Sequence, residues 1–534
     1  MEKSLEAEKK KPGQVKVPSV ARSSAKMSVA TTVSRFTGFL RNSAIAYALG
    51  GGVLNDTFTT ANIMPNIIFE LVMGGILGSV IIPTYVHYLS NEKDDETRYM
   101  ISNLTNIILA IAAGTSLIGA IFSPFFVHII TIREPSRATP LMIMFFRVFA
   151  FQILFYALAA IFSGVLNSHR RFTMPMAAPI LNNIIVIATV IGLYLPLGKT
   201  NPNLALLTLA IGTTAGVAAM ALVQIPTAIK VGFMPSLAFN IHHPAVKQVA
   251  KLGLPMLGFA ATVQLSFTVT YMLLQPYKGG AMGFANAVAF FQLPYAIFAV
   301  SIITAIFPEL SRFADSNDMK SFKEMLSLGF RSTSFIIIPS AIFIAIMAKP
   351  TIALTLQHGK FDTAATQVTA NLLTAFAFGI LSLSLYNMLA KVYYSLQDTK
   401  TPLIIGAISV PVQLGFNFIF MAFFNAAGLP LSYGLVLTFG VLAQLYILRK
   451  RIGLIGMSII LRAMAKQLVA AIPTGIVIYV TSAGIAQMEI SGELRLILEI
   501  TLAATAGTIT YIWLSLLLGI QEVDFIKGIL RRFV

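Results

Sequence analysis

The sequence predicts an all-α polytopic membrane protein with about fourteen transmembrane helices, arranged as two pseudo-symmetric six-helix lobes followed by two C-terminal helices. Three observations predict this class. Of the 534 residues, 56% are hydrophobic and 11% are charged, whereas a soluble domain carries roughly 25% charged residues. Apolar stretches long enough to cross a bilayer recur as far as the C-terminus. Two motifs repeat at nearly the same offset, which indicates a duplicated unit.

The apolar stretches set the expected spans. They begin near residues 27, 56, 100, 141, 173, 203, 245, 281, 324, 364, 401, 427, 459 and 493. Residues 1–26 precede them and are polar, with seven Lys or Arg and three Glu. We expect this segment to be a disordered basic cytoplasmic tail, because it has no apolar core of a signal peptide.

The basic residues predict the orientation of the spans. With the N-terminus inside, the cytoplasmic segments hold 28 Lys or Arg and the outer loops hold seven. The positive-inside rule therefore favours a cytoplasmic N-terminus and a cytoplasmic C-terminus. The net charge of +17 is spread along one membrane face, so we expect no nucleic-acid partner.

The repeat defines the expected domains. The stretch "TANIMPN…IIPTYVHYLS" resembles "FANAVAF…IFPELSRFADS", so that Asn62 matches Asn286. The stretch "FSGVLNSHRRFTMP" resembles "YYSLQDTKTP", so that Asn167 matches Gln397 at a similar offset. We therefore expect a first lobe over residues 27–235, a second over 236–452, and a C-terminal unit over 453–534. Two lobes with the same orientation imply a cavity between them.

Five charged residues fall inside the expected spans: Arg35, Arg41, Asp56, Glu70 and Arg147. Each costs a few kcal/mol at bilayer depth, and such residues commonly mark a substrate path. Arg35 and Arg41 lie about 120° apart around one helix. They could clasp a ligand, or either could form a structural salt bridge with Asp56 or Glu70. Snorkelling to the interface is an alternative for Arg35 and for Arg147.

The second span carries a polar stripe with helical spacing. Its members are separated by three or four residues and are Asn55, Thr59, Asn62, Asn66 and Glu70. Such a stripe must face protein or water rather than lipid. It could line a wet cavity, or the asparagines could serve helix packing. We expect Asn62, Asn66 and Glu70 to contact substrate.

The sequence contains no recognisable enzyme motif, and we expect no catalytic residues, no cofactor and no metal site. There are no cysteines, and the six histidines are scattered. The protein is therefore expected not to be an enzyme.

Five stretches together carry a family resemblance: "VSRFTGFLRN", "NDTFTTANIMPN", "GGILGSVIIPTY", "LQHGKFD" and "YYSLQDTKTP". They resemble the MurJ (MviN) lipid II flippase family of the multidrug/oligosaccharidyl-lipid/polysaccharide exporter superfamily. The resemblance implies a V-shaped transporter in the bacterial cytoplasmic membrane. We expect it to work as a monomer, because one chain already contains both lobes. The resemblance also implies that helices 13 and 14 form a groove for a polyprenyl tail, and that the partner is lipid II or a related polyprenyl-pyrophosphate glycolipid.

The family's motifs place Arg35, Arg41 and Asp56 at functional positions, with Ser34 and Asn42 as neighbouring candidates. Other positions depart from the family pattern. Phe69 and Ala289 stand where the family often has arginine, so the expected cavity is less cationic. No sodium site is implied, because the acids expected in the second lobe are absent.

Arginine suits a pyrophosphate because its planar fork gives paired, charge-assisted hydrogen bonds. The resemblance implies transport from the inner to the outer leaflet by alternating access. Because bacterial membranes are negative inside, we expect the membrane potential to drive the outward movement of an anionic head group. Two alternatives stay open from the sequence. One is a cation-coupled exporter of small molecules, or of another lipid-linked glycan, with Asp56 and Glu70 as the coupling site. The other is a membrane scaffold that transports nothing.

Overall fold

The structure is a computed structural model that describes residues 17–70, 94–137, 139–169, 171–233, 236–243, 246–247, 261, 263–490 and 492–523. Within these ranges the secondary structure consists of helices, turns and loops, without a strand. The helices are numbered below in chain order. The expected all-α class is confirmed.

The first lobe contains the helices that precede residue 236. Several of its spans are broken: a π-helical stretch, Thr189–Tyr194, joins α7 to α8, and a short 3-10 turn, Pro135–Arg137, precedes α5. The helices are α1 (Val17–Leu49), α2 (Val53–Phe69), α3 (Asp94–Ile121), α4 (Ser123–Ile130), α5 (Pro140–Phe149), α6 (Gln152–Ser168), α7 (Thr173–Ala188), α8 (Leu195–Thr200), α9 (Pro202–Leu222) and α10 (Ile225–Lys230).

The second lobe and the C-terminal pair follow. A second π-helical stretch, Tyr295–Ala299, joins α12 to α13. The second lobe comprises α11 (Val263–Leu274), α12 (Gly280–Pro294), α13 (Val300–Asp315), α14 (Met319–Leu356), α15 (Thr363–Ala377), α16 (Ile380–Ser395), α17 (Lys400–Phe424) and α18 (Gly428–Ile452), and the C-terminal pair comprises α19 (Met457–Ala486) and α20 (Gly492–Leu517).

Length and composition identify the membrane spans. Nine helical stretches in the described residues are long and apolar enough to cross a membrane, or ten if the bent pair α15 and α16 is one span. One of these stretches, 400–452, contains two helices, α17 and α18. The chain is therefore a multi-pass membrane protein. The count of fourteen spans stays a prediction, because parts of the expected spans near residues 56 and 245 lie outside the described residues.

The start of α1 corrects one expected boundary. The helix begins at Val17, whereas the sequence predicted a disordered tail as far as residue 26. The last ten residues of that segment are helical, and residues 1–16 lie outside the described part of the chain. Helix formers such as Ala and Arg in "SVARSSAK" allow the helix to begin before the apolar run.

Helix packing separates the described residues into two groups. In the first lobe α1 and α9 pack on α7, and α2 packs on α5 and α6. In the second lobe α12 packs on α15, and α18 packs on α16 and α17. The lobes meet where α12 packs on α2 and where α1 crosses α14. The C-terminal helices α19 and α20 pack on each other and on α14, so they extend the second lobe.

A kink between α5 and α6 aims one side chain at α2. The helix breaks at Ala150 and Phe151, which frees backbone N–H groups from helical partners. Ser116 of α3 accepts a hydrogen bond from the Leu154 N–H at 3.2 Å and so satisfies one of them. Gln152, the first residue of α6, is fully buried and donates to Asn62 of α2.

Candidate functional site

A polar cavity of about 570 Å³ lies between the lobes, where α1, α2, α6, α7, α9 and α12 meet. We call it the central cavity. Most of its polar lining groups are amides. These lining groups are Arg41, Asn42, Asn55, Thr59, Asn62, Asn66, Tyr156, Asn182, Thr213, Asn286 and Gln292. Arg41 is the only charged residue among the described residues that line it.

The polar stripe of α2 lies along this cavity over most of its length. Asn55, Thr59, Asn62 and Asn66 are lining residues, as expected for side chains spaced by one helical turn. Ile63, on a neighbouring face, also lines the cavity. Glu70 is half-buried at the C-terminal end of the helix and is not a lining residue. The cavity-lining face of α2 is therefore wider than the predicted stripe, because it includes Ile63, and shorter, because it does not reach Glu70.

Arg41 lines the cavity, and one of its N–H donors is buried without a partner in the described part of the chain. Its Nη2 donates to Asn42 Oδ1 at 3.2 Å, while its buried Nε has no hydrogen-bond partner among the described residues. A buried donor without a partner costs about 1–3 kcal/mol, and more when it is charged. The structure pairs Arg41 with neither Asp56 nor Glu70 among the described contacts.

The other predicted site residues outside the central cavity lie in varied surroundings. Arg35 is exposed. Arg147 is exposed and donates to Ser123 at 3.3 Å. At Ser34 it is the backbone carbonyl that is used, because it accepts from the side-chain amide of Asn183. None of these three residues lines the cavity in this conformation.

Asp56 contacts the second lobe instead of the cavity. It is 3% exposed and is not a lining residue. Its carboxylate accepts from the backbone N–H of Gly279 at 2.6 Å and of Met282 at 3.0 Å. Arg137 approaches the same carboxylate, with an N–O distance of 3.6 Å. Asp56 thus caps the N-terminus of α12 from across the lobe interface, a contact that sequence spacing could not reveal.

Further contacts close the same end of the cavity. The Lys360 N–H donates to the Tyr47 carbonyl at 3.0 Å, which joins α1 to the loop before α15. Gly50 has φ +78, and a Cβ there would lie 2.6 Å from the Lys360 carbonyl oxygen. A side chain at this position would be both strained and overpacked. Glycine is therefore required for the lobes to meet here.

Exposure along α2 shows which end is closed. Asn55 and Phe58, near the Asp56 contact, are 1% and 2% exposed. Asn66, two turns further on, is exposed. The cavity is therefore closed at the end near Asp56, whereas Asn66, towards the other end of the described part of α2, is exposed.

Sequence reasoning missed three residues around the cavity. Asn182 on α7 has a buried Oδ1 without a hydrogen-bond partner in the described residues. Tyr156 and Gln152 on α6 connect to Asn62 through hydrogen bonds. Each of them is a polar residue inside an apolar span, and that pattern is the sequence signal that could have identified it. Asn286, which the repeat matched to Asn62, lies on the same cavity.

A second cavity, of about 580 Å³, is largely apolar. It lies between α12, α14, α19 and α20, and we call it the apolar cavity. Phe290 and Leu293 of α12 line it, together with Phe343 of α14 and Ile478 of α19. Ala289 and Gln292, on another face of α12, line the central cavity. Helix α12 therefore forms a wall between a polar and an apolar space.

Comparison with known proteins gives the family. The family model described as "Lipid II flippase MurJ" matches residues 45–497, which is most of the chain. The chain belongs to the MurJ lipid II flippase family. A curated relative from Burkholderia cenocepacia, "Lipid II flippase MurJ", is 28% identical over 429 residues, covering 79% of this chain and 82% of the relative. A probable lipid II flippase MurJ from Bdellovibrio bacteriovorus is 25% identical over 516 residues, covering 95% and 96%.

Solved structures share the fold. "Lipid II flippase MurJ, inward closed conformation" has a TM-score of 0.77 at 23% identity and covers 94% of this chain and 99% of that chain. An inward-facing multidrug resistance MATE family transporter of the MOP superfamily has a TM-score of 0.63 at 12% identity, covering 81% and 98%. The expected two-lobed transporter architecture therefore has solved counterparts, both in the MurJ family and outside it.

The two departures from the family's arginine pattern have structural explanations. Phe69 is buried and its ring lies 5.6 Å from that of Tyr156, so it packs the first lobe. Ala289 lines the central cavity and leaves room there. Compared with the arginine pattern expected for the MurJ family, this cavity offers amides in place of charge around Arg41.

Proposed function

We propose that this chain moves lipid II from the inner to the outer leaflet of the bacterial cytoplasmic membrane. The observation that carries the proposal is Arg41, the one charged residue among the described lining residues of a polar cavity, with an apolar cavity on the other side of α12. This pair of spaces fits an amphiphile with an anionic, hydrogen-bonding head and a long apolar tail. Family membership supports the same substrate.

The central cavity would receive the head group. A glycosyl pyrophosphate crosses a bilayer slowly unaided, because its polar groups would lose their hydrogen bonds to water. Arg41 can bind phosphate oxygens through charge-assisted hydrogen bonds. The amide oxygens of lining residues such as Asn66 and Asn286 can accept from a sugar hydroxyl or amide. A donor for the anion and an acceptor for the sugar suit a substrate that carries both.

The apolar cavity would receive part of the polyprenyl tail. Its lining residues come from the second lobe and from the C-terminal helices α19 and α20. This apolar lining can hold a hydrocarbon tail without any specific hydrogen bond, and it replaces the lipid chains that surround the tail in the bilayer. One chain supplies both lobes and both cavities, so the transporter functions as a monomer in this proposal.

Transport would follow alternating access. With both termini cytoplasmic, as the distribution of basic residues predicts, the end sealed by Asp56 is the outer end. The central cavity then opens towards the inner leaflet, where the substrate is made. Breaking the contacts of Asp56 and Tyr47 with the second lobe would open the outer end.

Membrane potential would supply the driving force. The bacterial membrane is negative inside, so an anion moving outward gains about 2.3 kcal/mol per charge for each 100 mV. Arg137 lies 3.6 Å from Asp56 and offsets its charge. The empty cavity therefore retains the positive charge of Arg41, which the same field draws inward. No group of three or more His, Cys, Asp or Glu that could hold a cation occurs within the described ranges.

Reconstitution tests this function directly. Purified protein in liposomes should expose fluorescent lipid II to a membrane-impermeant quencher added outside, faster than protein-free liposomes do. An Arg41→Ala protein inserted to the same level serves as the matched control and should approach the protein-free rate. Equal rates with wild-type protein and with empty liposomes would reject the proposal.

A further inference from the structure

A buried hydrogen-bonded chain runs behind the central cavity. Gln152, which is 0% exposed, donates from Nε2 to Asn62 Oδ1 at 3.2 Å. The Tyr156 hydroxyl donates to Gln152 Oε1 at 3.5 Å. Tyr156 and Arg41 both line the central cavity. Gln152 does not line the cavity, but it touches two residues that do.

The direction of these hydrogen bonds decides what the cavity presents. An asparagine amide has one accepting oxygen and one donating NH₂ group. Because Gln152 Nε2 occupies Asn62 Oδ1, the Asn62 NH₂ group is left for the cavity. Asn62 and Arg41 therefore both offer N–H donors to a ligand.

The fold holds Gln152 in this role. It is the first residue of α6, directly after the break at Ala150 and Phe151, so its side chain leaves the helix at the kink. Ser116 accepts from the Leu154 N–H and stabilises the same kink. Gln152 is thus placed by backbone geometry rather than by contact with substrate.

We propose that Gln152 is a positioning residue that sets Asn62 as a hydrogen-bond donor to the anionic group of the substrate. The inference rests on the proposed function and adds a specificity determinant to it. A fully ionised phosphate carries hydrogen-bond acceptors and no donor. A cavity lined by donors therefore favours it over a ligand that itself donates. Without the hydrogen bond from Gln152, the Asn62 side chain could turn its oxygen towards the cavity. The cavity would then lose its preference for an anion.

A double-mutant cycle tests the proposal. The affinity of nanodisc-embedded full-length protein for fluorescent lipid II is measured for Gln152→Leu, Asn62→Ala and the double variant. Gln152→Leu should weaken binding by about fivefold, the effect of losing one fixed hydrogen bond. In the Asn62→Ala background the same change should weaken binding by less than about twofold, since coupled residues are not additive.

Gln224→Leu is the matched control. Gln224 is also buried in the first lobe, at 1% exposed, and accepts from Ser163 at 3.0 Å without lining the cavity. It should lower the unfolding temperature much as Gln152→Leu does, but leave the affinity for lipid II unchanged.

Three outcomes would overturn the proposal. One is an equal loss of affinity from Gln152→Leu in the wild-type and Asn62→Ala backgrounds. Another is no greater loss from Gln152→Leu than from Gln224→Leu. In both cases wild-type protein still binds lipid II, so the proposed function stands. Wild-type protein that does not bind lipid II would overturn the function and the positioning role together.

Discussion

The carboxylate of Asp56 accepts a hydrogen bond from the backbone N–H of Gly279 at 2.6 Å, and so joins the first lobe to the second. Met282 donates to the same carboxylate at 3.0 Å. The acceptor is an anion at the N-terminus of α12, where the helix dipole favours negative charge. Charge-assisted hydrogen bonds of this kind are about twice as strong as neutral ones. Asp56 therefore stabilises the conformation that is closed at this end.

Asp56→Asn should weaken this closure. The amide loses the charge and keeps only one accepting oxygen, at a cost of about 1–3 kcal/mol. Spin labels on cysteines at Val53 and Lys278, both exposed and on opposite lobes, should report a longer and broader distance distribution in this otherwise cysteine-free chain. Asp362→Asn is the matched control, because Asp362 caps α15 within one lobe by accepting from Ala365 at 2.8 Å. Identical distances in the wild-type, Asp56→Asn and Asp362→Asn proteins would show that Asp56 does not hold this end of the cavity closed.

Arg41 and Arg147 should differ in their effect on transport, although both lie inside membrane spans. Arg41→Ala removes the guanidinium from the central cavity and should reduce lipid II transport in liposomes to near the background rate. Arg41→Lys should restore it only in part, since the guanidinium fork is lost. Arg147→Ala should transport nearly as wild type does, because Arg147 is exposed and lies off the cavity. Normal transport by Arg41→Ala would remove Arg41 from the proposed site.

Cysteine labelling should follow the geometry of α2. Single cysteines at Asn62 and Asn66 should react with a water-soluble maleimide, because both positions line the central cavity. A cysteine at Met64, on the same helix but 6% exposed in the core, should react at least tenfold more slowly, in line with its burial in close-packed protein. Equal protection of all three would indicate that the asparagines pack helices together.

Gly216→Ala should impair transport through Asn182. A Cβ at residue 216 would collide with Asn182 Oδ1 and lie 3.1 Å from the Asn182 carbonyl oxygen, which pushes the amide out of place. Gly114→Ala is the control, because nothing lies within 4 Å of the added Cβ and alanine is the better helix former. We expect a transport defect of the first variant with normal membrane insertion, and wild-type transport by the second. Full activity of Gly216→Ala would exclude a role for the Asn182 position.

Membrane potential and ion gradients can be varied separately in proteoliposomes. Outward lipid II movement should become faster when the side of the liposome membrane that corresponds to the cytoplasm is made negative. This should hold without a sodium or proton gradient. The physical reason is the gain of about 2.3 kcal/mol per charge for each 100 mV. Transport that ignores potential but requires a sodium gradient would reject this mechanism and favour a cation-coupled cycle.

Much of the fold follows from local sequence properties. Long apolar runs predict membrane helices because an unpaired backbone is too costly in lipid, and the structure confirms an all-α multi-pass protein. Asn55, Thr59, Asn62 and Asn66 share a helical face by spacing alone, and they lie on one cavity. The intramembrane position of Arg41 identifies it as a candidate site residue from the sequence alone.

Tertiary structure decided which of the marked residues meet. Spacing places a side chain on a face of its own helix but does not determine which other helix that face contacts. Asp56 is three residues from Thr59 in sequence, yet its carboxylate binds α12 while Thr59 lines the cavity. Gln152, Tyr156 and Asn182 reach the site only because kinked and crossing helices bring them there. The sequence by itself determined the membrane class and the polar face of α2, since both depend on neighbours along the chain. The hydrogen bonds of Asp56 with the second lobe and of Gln152 with Asn62 join residues that are 90 to 226 positions apart in the sequence. Only packing brings such residues together.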